Sequence, residues 1–206
     1  MSRSRFENLD PEKQQRLIDS AAEEFAANGY DGASLNRILE QSGMSKSSLY
    51  YYFDDKADLF TTLVDRSLGY LFRQVGGFDE SRLTAENFWD ELEALTVRFI
   101  TLGNSNVWYV KMGRMFYRLR SNPAHSAPTE RSFAAARRWL TDLLHKGQAL
   151  GAIRTDLPET LMVDAAMGLG EALDLWVLKH WDELPEDARL RMAHDQVGLF
   201  RRLLAP

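Results

Sequence analysis

Apolar residues recur at spacings of three and four along almost the whole chain, and no convincing stretch alternates with the period of two that a half-buried strand requires. The pattern predicts an all-α protein. Asp10-Pro11-Glu12 sets an N-cap residue ahead of a proline at the first helical position and an acid in the first turn, where the helix dipole favours it. Leu17, Ile18, Ala21, Ala22 and Phe25 then form one stripe, which Asn28-Gly29 ends. Ser34 caps a short second helix carrying Leu35, Ile38 and Leu39, and Ser42-Gly43 stops it, because glycine tolerates the left-handed conformation of a tight turn. Ser45 caps a third helix that runs through Leu49 to Tyr52. Asp54 or Asp55 opens a longer fourth, with Leu59, Phe60, Leu63, Val64, Leu68, Leu71 and Phe72 inward.

Gly76-Gly77 and the polar "DESR" interrupt this pattern and mark a domain boundary. The expected division is a head at 1–54, a connecting helix at 55–77 and a second helical domain at 78–206. Helices in the second domain are expected at 84–102, 106–120, 128–150, 158–181 and 185–204, punctuated by Asn122-Pro123, Gly151 and Leu184-Pro185. No repeat of fixed period and no low-complexity tract breaks the series.

Composition narrows the picture. The 206 residues are 45% hydrophobic and 27% charged, which suits a folded protein with substantial cores. There is no cysteine, so disulfides and thiolate metal sites are excluded and a reducing cytoplasm is the natural compartment. The opening "MSRSRFENLDPEK" lacks the apolar core of a secretory signal, and no later run approaches the roughly 20 apolar residues of a membrane span. The net charge of -5 opposes general attraction to nucleic acid, so any DNA binding has to come from a local surface.

One segment supplies such a surface. "SLNRILEQSGMSKSSLYYYF" is a short helix, a glycine turn and a second short helix, the helix-turn-helix arrangement whose second helix enters the DNA major groove. Small Ser45, Ser47 and Ser48 allow close approach to phosphates and base edges, and Lys46 reaches a guanine edge or a phosphate. Tyrosine rings can lie along the groove wall while their hydroxyls donate to phosphates. Three consecutive helical residues point in three directions, so Tyr50, Tyr51 and Tyr52 cannot all enter one core.

The span 17–59, with "FAANGYDGASLNRILEQSGMSKSSLYYYFDDKADLF", resembles the DNA-binding domain of the TetR/AcrR family of bacterial transcriptional regulators. The likeness lies in the Asn-Gly-Tyr end of the first helix, the Ser-Gly-Met-Ser turn, the Leu-Tyr-Tyr-Tyr-Phe run and the lysine that follows in register. "GAIRTDLPETLMVDAAMGLGEAL" is similar to the entry into the penultimate helix of such proteins. The resemblance implies a three-helix DNA-binding head, a C-terminal helical domain that binds a small-molecule effector and dimerises, and a repressor of a double-stranded DNA operator. It implies groove contacts from Lys46, Ser47, Ser48, Tyr50 and Tyr51, phosphate contacts from Tyr52 and Lys56, and a contribution from Ser34 and Asn36, with Leu49 and Phe53 in the core. The head departs from a basic surface in Asp54-Asp55 and in Asp19, Glu23, Glu24, Asp31 and Glu40, acids expected to face away from DNA. Arg3 and Arg5 on the leading tail could add minor-groove contacts, although a solvated tail is the simpler expectation.

In the second domain, Trp108, Met112, Phe116, Trp139 and Trp176 are candidates to line an apolar ligand pocket, against the plain alternative that such side chains fill a core. Arg98, Lys111, Arg114, Arg118, Arg120, Arg131, Arg137 and Arg138 face only one acid, Glu130, within their stretch. An anionic ligand would suit them, but solvation or pairing with the acidic final helices accounts for them more simply. The dimer seam is expected on Leu161, Ala165, Leu169, Leu173 and Trp176 of one late helix and Leu190, Ala193, Val197, Phe200 and Leu204 of the next. No nucleophile with its base, no phosphate loop and no metal set has workable spacing. Asp142 and His145 form a single carboxylate-x-x-His pair, and His125, His180 and His194 are scattered, so neither an enzyme nor a bound cofactor or metal is expected.

Overall fold

The computed structural model describes residues 2–76, 80–105, 107–120 and 127–206. Gly77 of the expected break, Asn106, Asn122-Pro123 and His125 lie outside the described residues, as does the side chain of Arg3. The chain is built from α1 (Ser2–Glu7), α2 (Pro11–Gly32), α3 (Leu35–Ser42), α4 (Lys46–Tyr52), α5 (Lys56–Val75), a short 3-10 turn (Glu80–Arg82), α6 (Phe88–Ser105), α7 (Val107–Arg120), α8 (Ala127–Leu150), α9 (Glu159–His180) and α10 (Glu186–Leu204). No strand occurs among the described residues.

Local chemistry accounts for most of these limits. Asp10 caps α2, its Oδ1 accepting from the N–H groups of Glu12 and Lys13 at 3.1 and 3.2 Å. Gly29, at φ 68° and ψ 178°, breaks the helical path near the end of α2 where Asn28-Gly29 was expected to stop it. At the start of α6, Thr84 and Asn87 cap each other: Thr84 N–H donates to Asn87 Oδ1 at 2.7 Å and Asn87 N–H to Thr84 Oγ1 at 3.3 Å.

The described residues form two compact units, Met1–Leu71 with Lys111–Arg131, and Phe72–Val110 with Ser132–Pro206. The division differs from a break at Gly76-Gly77 in that 111–131 packs with the N-terminal residues. In the first unit Leu17, Phe25, Ile38, Leu49, Phe53, Phe60 and Leu63 are buried, and Phe25 and Phe60 meet edge to face with centroids 5.0 Å apart. Met112, Met115 and Leu119 are buried in the same unit, where Arg131 also pairs with Asp65 at 2.9 Å.

The leading residues are not a solvated tail. Residues 2–7 are helical, and Phe6 is buried with its ring 4.9 Å from Phe53 and 6.0 Å from Tyr52. Gln14 fixes the link to α2 by donating to Glu7 O and Leu9 O, and the Arg66 guanidinium covers the Phe6 ring at 4.8 Å.

The second unit has a core of Phe88, Trp89, Leu144, Ile153, Met162, Ala166, Val197 and Leu204, and a smaller cluster around Ile100, Val177, Trp181 and Ala193. This corrects half of the expected seam. Ala193, Val197 and Leu204 of α10 are buried within their own chain, while on α9 Leu161, Leu175 and Trp176 are exposed. None of the described helices is long and apolar enough to cross a membrane.

Candidate nucleic-acid interface

The two short helices are held by caps at each boundary. Ser34 Oγ accepts from Arg37 N–H at the start of α3, and Gly43, at φ 68° and ψ 22°, ends it with its own N–H turned back to Leu39 and Glu40 carbonyls. Ser45 then opens α4, its hydroxyl accepting from Ser48 N–H at 3.1 Å and lying 3.0 and 2.8 Å from the hydroxyls of Ser47 and Ser48. Leu49 and Phe53 anchor this element, each only 1% exposed.

At about 100° per residue, the positions opposite Leu49 are Ser47 and Tyr51, with Tyr50 beside them, while Lys46 stands at the exposed first position of the helix. These four are exposed, Tyr50 at 50% and Tyr51 at 56%, whereas Ser48 and Tyr52 are half-buried. The tyrosine row therefore divides as helical geometry requires. Tyr50 and Tyr51 face outward, and Tyr52 packs against Phe6 and the edge of Tyr51. Arg5, carried on α1, lies over the Tyr51 ring at 5.0 Å and adds a positive charge beside the outward face.

Other candidates have different surroundings from those expected. Asn36 is exposed on α3, but Ser34 is engaged through both its cap and its N–H, which donates to Glu24 Oε1 at 2.8 Å. Lys56 is not a free cation. Its Nζ donates to the carbonyls of Asp31 at 3.2 Å and Ala33 at 3.3 Å and lies over the Tyr30 ring, which leaves one N–H for any phosphate. The acids beside it start α5: Asp55 Oδ1 accepts from Asp58 N–H at 2.8 Å, and Asp58 Oδ2 from Asp54 N–H at 3.2 Å.

Glu24, one of the acids expected to face away from DNA, lies inside the head. Its side chain is 4% exposed and accepts from Arg37 Nε at 2.9 Å to one oxygen and 3.0 Å to the other. Arg37 Nη2 also donates to Gly32 O at 3.1 Å. The Arg37 hydrogen bonds hold the Glu24 carboxyl below its ordinary range, against burial, which acts in the opposite direction. The signal was present in the sequence. Leu17, Ala21 and Glu24 share one helical face, and a charge on an apolar stripe needs a partner.

The five ligand candidates do not assemble as expected. Met112 is buried and belongs with Phe116 to the first unit, whereas Trp108, Trp139 and Trp176 belong to the second. A cavity of about 200 Å³ exists within the second unit, and among the five only Trp139 lines it. Trp176 instead stacks on His180 at 4.5 Å. Of the arginine-rich stretch, Arg120 pairs with Glu130, Arg131 with Asp65 and Arg137 with Asp164 of α9. His145 pairs with Glu159 at 2.8 Å, and no group of three metal-ligating side chains occurs among the described residues.

A capped pair of short helices, with an apolar anchor on one side and lysine, serine and tyrosine on the other, defines the N-terminal unit as a helix-turn-helix head. Residues 17–63 match the model of the bacterial regulatory proteins of the tetR family. Over 74 residues the chain is 28% identical to the fatty acid metabolism regulator protein of Bacillus subtilis, covering 36% of this chain and 38% of that protein. It is 34% identical over 55 residues to the biofilm operon negative transcriptional regulator IcaR of Staphylococcus epidermidis, covering 27% and 30% respectively. The matched region thus spans about a third of these curated relatives. The whole fold is similar to that of FadR from Bacillus subtilis solved with stearoyl-CoA, with a TM-score of 0.71 at 18% identity over 90% of this chain and 96% of that one. FadR from Bacillus halodurans gives a TM-score of 0.71 at 17% identity over 93% and 95%. Residues 17–63 thus carry the DNA-binding region of the tetR family of bacterial regulatory proteins.

Proposed function

We propose that this protein is a cytoplasmic, homodimeric transcriptional repressor that binds a palindromic DNA operator through α4 and is released by a small molecule bound in its C-terminal helices. The observation that carries this reading is the outward face of α4, where Lys46, Ser47, Tyr50 and Tyr51 stand exposed on a helix anchored by Leu49 and Phe53. Such a face offers base-edge and phosphate contacts without requiring a basic protein, which fits the net charge of -5. Ser48, Tyr52, Asn36 and Ser34 complete the proposed contact set, and Lys56 adds its one remaining donor to a phosphate. Regulation rather than catalysis fits the naming of both relatives as regulators.

Dimerisation is required because one short helix reads too few bases to select a site in a genome. The exposed face of α9 supports it. Leu161, Ala165, Gly168, Ala172, Leu175 and Trp176 share one side of that helix, with large apolar residues toward its ends and small ones between. A Cβ at Gly168 would meet nothing within 4 Å, so a partner helix can approach there closely.

Control follows from differential affinity: a ligand shifts DNA binding only by the difference in its affinity for the two states. Helix α5 belongs partly to each unit and is the proposed lever between ligand and head. Footprinting on the DNA upstream of the protein's own gene tests the whole reading. Protection of a palindrome with half-sites about one helical turn or a multiple apart is expected, and even coating without a preferred site would refute it.

A further inference from the structure

The cavity in the second unit lies among α6, α8 and α10, and its volume of about 200 Å³ and its lining restrict what can fill it. Phe88, Leu144, Ile153 and Val197 are core residues, so the hollow penetrates the packed interior and is not a shallow surface groove. Trp139, 46% exposed, is where its wall meets solvent. The inner wall has little room to recede. A Cβ placed at Gly147 would lie 2.6 Å from Ile153 Cδ1 and 2.9 Å from Phe88 Cζ, so both lining side chains already press on the α8 backbone.

Among the described residues no lysine, arginine, histidine, aspartate or glutamate lines the cavity, and besides the indole N–H groups of Trp89 and Trp139 its one polar side chain is Thr96. The Thr96 hydroxyl donates to Leu92 O at 2.9 Å, which leaves its oxygen free only to accept. An ionised group would enter without a counter-charge among these residues, and burying a charge unpaired is costly. A dry cavity of about 150 Å³ takes benzene, so this one suits a molecule of roughly ten non-hydrogen atoms.

We propose that this cavity binds a small uncharged apolar molecule, a compact hydrocarbon or its mono-alcohol, whose single hydroxyl donates to Thr96. Its role as the effector rests on the repressor reading above, but the chemical class does not. Long acyl chains attached to phosphates are excluded by both size and charge, in contrast to the stearoyl-CoA held by the similar FadR of Bacillus subtilis. The aromatic walls of Trp89, Phe99 and Phe200 favour a flat ring over a flexible chain.

Calorimetric titration of the full-length protein with butylbenzene, phenylbutanol, phenylbutyrate and stearoyl-CoA tests this without any DNA, so it fails independently of the operator reading. Butylbenzene and phenylbutanol are expected to bind at one per chain, at least ten-fold more tightly than phenylbutyrate. Thr96→Val should erase the advantage of the alcohol over the hydrocarbon and leave the hydrocarbon unaffected. Leu140→Trp fills the cavity and should abolish both. If Leu140→Trp does not fold, the near-isosteric Thr96→Val still decides the matter. Equal or tighter binding of phenylbutyrate or stearoyl-CoA, no binding of the neutral probes, or an alcohol preference untouched by Thr96→Val would overturn the proposal.

Discussion

Glu24→Gln preserves the shape of a buried side chain while removing the charge that fixes Arg37. In the native head one carboxylate receives Ser34 N–H and Arg37 Nε, and the same guanidinium reaches Gly32 O, so the group ties the end of α2 to the start of α3. A glutamine retains one acceptor and turns an NH2 toward the guanidinium donors. Charge-assisted hydrogen bonds contribute about 1.5–3 kcal/mol each, and water restores part of this to the half-exposed Arg37, so the expected loss is about 2 kcal/mol. Arg37→Met is the harsher change, because it strands a buried carboxylate, and should cost about 3 kcal/mol. Since both act on one pair, the double variant should lose less than the sum by about 1 kcal/mol or more. Urea denaturation at pH 7 followed by far-UV circular dichroism measures all three. The pH dependence has a definite sign: a folded pKa below the unfolded value gives stability that is present above about pH 4.3 and is lost as pH falls through the folded pKa. Glu24→Gln should flatten that part of the acid limb. Single variants within about 0.5 kcal/mol of the native protein, or costs that simply add, would refute the assignment.

Phe6→Ala removes a buried ring between α1 and α4; truncation of a buried phenylalanine costs about 3–5 kcal/mol at full effect, and because α1 can detach alone the loss should reach about 2–3. Faster amide exchange in α4 is the expected signature, and unchanged exchange would argue that α1 does not brace it. Gly43→Ala adds a Cβ that meets nothing within 4 Å, so only the left-handed backbone is penalised. A cost of about 1 kcal/mol in thermal melting is expected, and a neutral result would mean that the turn has another conformation. Light scattering should give a mass twice the 23.6 kDa of one chain, and Leu175→Glu on α9 should yield monomers; a dimer unaffected by it would move the seam elsewhere.

The helix boundaries were legible because capping is local. Asp10, Ser34, Gly43 and Ser45 act on groups within a few residues, and each holds its expected place. The outward and inward faces of α4 were legible for the same reason, since Leu49 and Phe53 fix its rotation. Helix α1 was not, because its six residues offer one apolar side chain and no periodicity, and it is held by Phe53, Tyr52 and Arg66 from distant segments. The intramolecular partners of Lys56 were not legible on similar grounds. Carbonyls at Asp31 and Ala33 become its partners only after folding. On α10, an apolar stripe announces that something covers Ala193 and Val197 but does not distinguish a neighbouring helix of the same chain from a second copy. The aromatic and methionine residues of the later helices carry the same ambiguity, which is why Trp139 alone among those singled out lines the cavity.

The central claim is that the exposed face of α4 reads DNA, and it is tested most directly by titrating a labelled duplex of the footprinted operator with native protein, Lys46→Ala and Tyr51→Ala, each checked for native helical content. The native protein should bind as one dimer, or a pair of dimers, in the range of about 10⁻⁸–10⁻¹¹ M at physiological salt. Each substitution should weaken the operator complex by about 1–3 kcal/mol, roughly five- to a hundred-fold. Operator affinity unchanged in both variants, with the fold intact, would contradict the account.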